Sequence, residues 1–142
     1  YWIIESLDLK IFNPDILILE YNAVFGPDKF ISIPYDHKFS RFDSHYSGKY
    51  FGASLSALNY IAEKKGYYFI GCNSAGNNAY FLLNKYMSKI PKINISEGFQ
   101  AADFREARNK NGELIHSDTK EEIKALAGMS VINVINNKKE II

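Results

Sequence analysis

Gly66-Tyr67-Tyr68-Phe69-Ile70-Gly71-Cys72-Asn73-Ser74-Ala75-Gly76-Asn77-Asn78-Ala79-Tyr80-Phe81-Leu82-Leu83 is the stretch whose reading decides the fold. Two runs, Tyr67–Cys72 and Asn78–Leu83, are rich in aromatic and aliphatic side chains, which suit a pleated, half-buried surface. Between them lies Asn73-Ser74-Ala75-Gly76-Asn77, and Asn and Gly tolerate the left-handed backbone that a tight reversal needs. The stretch therefore predicts a β-hairpin.

Upstream of the hairpin, Tyr50 to Lys65 reads as a helix. Phe51, Leu55, Leu58 and Ala62 recur at helical spacing, Lys64 and Lys65 suit the negative end of the helix dipole, and Gly66 is a stop. Gly52-Ala53-Ser54 opens that helix with small side chains, which suits close packing more than an anion site. Before it, residues 26–48 are long and irregular, with Pro27, Pro34 and a possible short strand at Phe30 to Ile33. A structureless connection of that length is either functional or hides an element. Ile16-Leu17-Ile18-Leu19 runs continuously apolar up to Glu20, after a turn at Asn13-Pro14-Asp15. Such a run predicts a strand buried on both faces, as in a parallel sheet. Tyr1 to Leu7 reads as the end of a helix with Ile3, Ile4 and Leu7 on one face, so the chain opens inside an apolar element and reads as part of something longer.

Downstream, Pro91 marks a joint. A helix is expected from Glu97 to Arg108, a turn at Asn111-Gly112, a capping box at Thr119-Lys120-Glu121-Glu122 opening a short helix to Gly128, and a last strand at Val131 to Ile135. This divides the chain into residues 1–90 and a C-terminal extension, 91–142, packing on them.

Composition bounds the rest. With 142 residues, 46% hydrophobic and 23% charged, the chain is of one-domain size and ordinary globular character. A net charge of +1 gives no basic footprint for nucleic acid. Cys72, the lone cysteine, rules out an internal disulfide and a Cys-built zinc site, and reads as a small core residue in a reducing, cytoplasmic setting. No apolar run approaches the roughly 20 residues of a bilayer span, so no membrane is expected as a partner. Aromatics at 15% favour interfaces as well as cores, so a second copy is a plausible partner.

The order of helix, buried strand, long loop, helix and hairpin resembles the closing half of class I S-adenosylmethionine (SAM) methyltransferases, a Rossmann-like α/β fold. Three segments carry the resemblance more specifically, to a bacterial family related to the FkbM-type methyltransferases: Pro14-Asp15-Ile16-Leu17-Ile18-Leu19-Glu20-Tyr21-Asn22, Tyr50-Phe51-Gly52-Ala53-Ser54-Leu55, and Gly66-Tyr67-Tyr68-Phe69-Ile70-Gly71-Cys72-Asn73. Phe104-Arg105-Glu106-Ala107-Arg108 adds a weaker match. The resemblance implies a partial Rossmann-like sheet, mixed in strand direction and flanked by helices. Ile16–Glu20 would be strand five, and Tyr67–Cys72 and Asn78–Leu83 strands six and seven, the last inserted antiparallel beside the fifth. It also implies SAM as the intact family's cofactor. The glycine-rich loop and acidic residues that hold SAM in such families correspond to positions ahead of Tyr1, so no cofactor-binding residue is assigned in this chain.

Candidate chemistry gathers at two strand ends. Glu20-Tyr21-Asn22 follows a strand at its carboxyl end, where open α/β sheets bind ligands. Glu20 and Asn22 are the catalytic candidates: either they orient a substrate nucleophile, with Glu20 as base, or they hydrogen-bond the long loop and hold it down. Tyr21, Asn73 and Ser74 are the substrate-pocket candidates, although turn chemistry already calls for Asn73, Ser74, Asn77 and Asn78. Asp36, His37, Asp43 and His45 share one loop, but their spacing matches no ligand pattern and no metal is expected. His116 reads as solvent-facing.

Two functions follow. In the first, the chain is the acceptor-side half of a SAM-dependent methyltransferase-like protein acting on a small-molecule or sugar hydroxyl, and is not competent alone. In the second, it is a non-enzymatic binding or assembly module that forms a homodimer through an exposed sheet edge.

Overall fold

The computed structural model describes residues 1–102, 106–116 and 119–142, with the side chain of Thr119 also outside the description. In chain order the elements are α1 (Trp2–Ser6), β1 (Ile16–Glu20), β2 (Ile31–Ser32), α2 (Arg41–Ser44), α3 (Leu55–Lys64), β3 (Tyr67–Cys72), β4 (Asn78–Leu83), α4 (Ile95–Gly98), β5 (Ala107–Arg108), β6 (Leu114–Ile115), α5 (Thr119–Ala125), β7 (Ser130–Asn133) and β8 (Lys138–Ile141), with single 3-10 turns at Ala23–Phe25 and Asn84–Tyr86. The architecture is mixed α/β, with little helix and with antiparallel pairing in each described ladder.

The first layer is a three-stranded sheet in the order β1-β4-β3. The hairpin has the strand limits read from the sequence, and β4 lies antiparallel between β3 and β1. α3 packs on one face of this sheet. Leu55, Leu58, Ile61 and Ala62 of α3 are buried there with Leu17, Tyr67, Phe69, Ala79 and Phe81. Phe69 and Phe81 meet at 5.6 Å between ring centroids, a tilted contact of the kind aromatic pairs prefer. Along the outer edge of β3, the Ile93 amide donates to the Phe69 carbonyl at 3.2 Å, and the Tyr68 hydroxyl donates to the Ile90 carbonyl at 2.8 Å.

Three expectations change here. β1 is not buried on both faces: Ile16 and Ile18 stand 52% and 60% exposed while Leu17 is buried. The alternation is that of an antiparallel strand with one covered face. α3 begins five residues later than its expected start, because Gly52 takes a left-handed φ of +62°, Ala53 bridges back to Ser32, and Ser54 is the true N-cap. The Ser54 hydroxyl accepts from the Ala57 amide at 3.1 Å, so Phe51 lies outside the helical stripe. In α1, Ile4 is buried but Ile3 is 81% exposed, so the two do not share a buried face.

The long stretch before α3 is not structureless. It supplies half of a second layer whose other half comes from the C-terminal segment. β2 pairs with β7, and β7 with β8, all antiparallel. Val24, Phe25, Ile31, Ile33 and Tyr50 from the first half close a core with Leu126 and Val131 from the second. The Tyr50 hydroxyl donates to the Ser130 carbonyl across the seam.

In the C-terminal region, the helix expected from Glu97 to Arg108 is instead a single turn, α4, with a strand at Ala107–Arg108; residues 103–105 lie outside the description. The Asn111-Gly112 turn joins β5 to β6, with Gly112 at φ +83°. The Thr119 side of the expected capping box lies outside the described residues; Glu122 also faces Lys49. The last strand ends at Asn133, earlier than Ile135, and β8 follows it.

Candidate functional site

The carboxyl ends of β1 and β3 lie at the same end of the sheet, on either side of the start of β4. Glu20 closes β1 opposite Asn78 and is exposed. Tyr21 turns inward and is fully buried. Its amide donates to the Asn77 carbonyl at 2.9 Å, and its hydroxyl donates to the Gln100 carbonyl at 2.5 Å. Its ring lies 6.0 Å from that of Phe99. Cys72 joins the same nook. Burial pushes its thiol above the usual range, against opposing contacts from the Tyr21 hydroxyl and the Gln100 backbone. A thiol held neutral in this way is a packing group, not a nucleophile.

Asn22 is 1% exposed, and the structure accounts for both of its amide hydrogens. Its Nδ2 donates to the carbonyls of Lys49 at 2.8 Å and Phe51 at 3.0 Å. Its Oδ1 accepts from the Val24 amide at 3.1 Å, and its own amide donates to the Ala53 carbonyl at 2.8 Å. The side chain is a clamp that ties the end of β1 to residues 49–53, which contribute to the second layer.

Asn73 plays the same part within the hairpin. Its Oδ1 accepts from the amides of Asn77 at 3.2 Å and Asn78 at 3.0 Å, and its Nδ2 donates to Asn77 Oδ1 at 2.6 Å. Ser74 is exposed at the tip. Gly76 has φ +67°, and a Cβ there would come within 2.0 Å of the Ala101 carbonyl oxygen. The segment around Gln100 and Ala101 therefore closes over the hairpin turn.

Of the five residues expected at the site, Glu20 and Tyr21 meet the hairpin turn that Asn73 braces, through Asn78 and Asn77, whereas Asn22 turns away to residues 49–53 and Ser74 stands at the tip. Glu20 and Ser74 are exposed, and the side chains of Tyr21, Asn22 and Asn73 are hydrogen-bonded within the chain. SAM, which the resemblance implies, needs a backbone cradle at a strand end. Here the one glycine of the hairpin turn backs onto Ala101, so these residues do not fit the cofactor. Among the described residues no group of three or more His, Cys, Asp and Glu is placed to hold a metal. In the loop of Asp36, His37, Asp43 and His45, the Nδ1 of His45 instead meets Ser47 Oγ at 2.7 Å.

Sequence reasoning missed a second polar centre. Lys49 is 2% exposed and its Nζ lies 2.6 Å from Glu122 Oε1, itself 11% exposed. The one signal for it was a lysine between Ser47-Gly48 and Tyr50-Phe51, where the neighbours are small or aromatic. Its partner lies far along the chain and carries no local mark. No helix among the described residues is long and apolar enough to cross a membrane. Comparison with protein-family models, with curated proteins and with solved structures returned no match.

Proposed function

We propose that residues 16–83 form the closing, acceptor-side part of a Rossmann-like domain of the SAM-dependent methyltransferase type, and that the chain alone is not a competent enzyme. The observation that carries this reading is the strand order β1-β4-β3, with β4 antiparallel to both neighbours and α3 leading into β3. That is the order and sense the resemblance implies for strands five, seven and six. In this reading the exposed Glu20 carboxylate, at the mouth of the strand-end crevice, orients the hydroxyl of a small-molecule or sugar acceptor. Tyr21, Asn22 and Asn73 position it by fixing the strand ends. The cofactor is held by residues other than these.

The test has two arms. Titrating the chain with SAM in a calorimeter should give no saturable heat, and tight binding would overturn the division of labour. Sequencing the codons upstream of Tyr1 should reveal, in frame, a strand followed by a glycine-rich turn, and a stop codon there would overturn the enzyme reading.

A second reading is supported by the exposure of Ile16 and Ile18 along β1, whose outer edge pairs with no strand among the described residues. A bare edge with apolar side chains recruits another strand, and a second copy of β1 supplies one by two-fold pairing. Sedimentation of the chain should then show a dimer that Ile18→Lys disperses; a monomer at high concentration sinks this reading.

A further inference from the structure

We propose that the cleft walled by residues 46–49, the β5–β6 hairpin and α5 binds a small phosphate-bearing molecule. The cleft encloses about 550 Å³, within the range of small-ligand sites. Its walls come from three separate parts of the chain, and each brings a cation to it: Lys49 from the first, Arg108 and Lys110 from the second, and Lys124 from α5. Its carboxylates are Glu121 and Glu122, and Glu122 faces Lys49. Lys49 is paired with Glu122 and Arg108 with Glu106, so Lys110 and Lys124 are the charges that draw an anion into this partly enclosed space.

The floor of the cleft strengthens the case. Lys49 is almost fully buried, and a buried ion pair contributes little to stability that an apolar pair of similar volume would not. Its pairing with Glu122 holds α5 against the first wall of the cleft. Arg108 is held in position by an ion pair: its Nε, at 2.8 Å, and its Nη2 both donate to Glu106 Oε1, and its Nη1 donates to the Gly112 carbonyl at 2.7 Å, so it shapes the second wall. The Ser47 carbonyl accepts from the Arg108 amide at 3.2 Å, which fixes the first wall against the second. Lys110 and Lys124 stand exposed at the mouth. A dianionic phosphate meets this arrangement better than a neutral sugar does, because charge-assisted hydrogen bonds are the strong ones. The proposal is independent of the methyltransferase reading, since none of these residues belongs to the β1 and β3 strand ends.

The test is an amide-resolved NMR titration of the chain with inorganic pyrophosphate and, separately, with ribose 5-phosphate, using glucose as the neutral control. Saturable shifts centred on Ser47, Arg108, Asn109 and Ala125 are expected with at least one phosphate, which also tells a bare diphosphate from a sugar phosphate. In the Lys110→Ala/Lys124→Ala double variant, whose changes are at the surface and leave the fold intact, the midpoint should weaken about tenfold or more. Shifts that do not saturate, that spread equally to Lys138 and Lys139, or that survive unchanged in the double variant would overturn the proposal.

Discussion

The two layers of this molecule are specified in different ways. The first is built from strands of five and six residues, two of them joined by a short turn, with apolar side chains at regular spacing. The second is built from β2, of two residues, and from β7 and β8, of four, where Ile31 finds its partner in Asn133. The first layer follows from local pattern. The second exists because two distant segments each carry apolar residues that neither can bury alone. If that account holds, the layers should still melt together, since Asn22 ties the end of β1 to the second layer and Val134 packs into the first core.

The largest effects probe that cooperativity. Phe81 is fully buried in the first core, and Phe81→Ala should lower stability by about 3–5 kcal/mol in urea unfolding. Leu126, fully buried in the second, should lose about 2–5 kcal/mol as Leu126→Ala. Both variants should shift one common transition, whether followed by tyrosine fluorescence or by far-ultraviolet dichroism. Two separated transitions in Leu126→Ala would break the comparison and make the second layer an independent unit.

Glu122→Gln comes next. It takes the carboxylate away from the nearly buried Lys49 and should destabilise by about 3 kcal/mol, the lower end for a broken buried pair. Lys49→Met/Glu122→Leu should recover most of that loss, because an apolar pair no longer strands a charge. If the double variant is as unstable as the single one, the two side chains are not an energetic pair.

What the sequence made legible follows the same division. Tyr67–Cys72 and Asn78–Leu83 could be read to the residue because alternation, aromatic content and an Asn-Gly-rich turn agree. Ile16–Glu20 could be located but not oriented, since a continuous apolar run does not say which face is covered. Phe51 looked helical by spacing, and only the backbone at Gly52 shows that the helix starts after it. β8, Lys138–Ile141, is exposed along its length and has no periodicity to find; it is a strand because β7 lies beside it. At the candidate site, Glu20, Tyr21 and Asn22 could be picked out by their place after a strand. Their roles could not, because Asn22 spends its amide on carbonyls 27 and 29 residues away. The pairing of Lys49 with Glu122 could not be read for the same reason.

A smaller effect sharpens the role of the clamp between the layers. Asn22→Ala removes three side-chain hydrogen bonds and leaves the Lys49 carbonyl without this donor, for a loss of about 2 kcal/mol in urea unfolding. Ser74→Ala, exposed at the hairpin tip, should stay within about 0.5 kcal/mol of the parent. Equal stabilities for the two variants would show that the Asn22 bonds do not join the layers in solution.

The smallest expected effect is a pH dependence confined to the second layer. His45 is partly buried beside α5 and stacks on Tyr46 at 4.3 Å between ring centroids. Burial holds its pKa below 6.5, and the Ala125 backbone opposes that only in part. In the window between the folded value and 6.5, the unfolded chain binds more protons than the folded one. The contribution of His45 to stability is therefore complete above 6.5 and is lost as pH falls through the folded value. Urea unfolding followed from neutral pH to about pH 5 should show this loss, and His45→Gln should flatten it. A profile that His45→Gln leaves unchanged would place the titrating group outside the packed seam and overturn the claim that the 45–49 wall is held against α5.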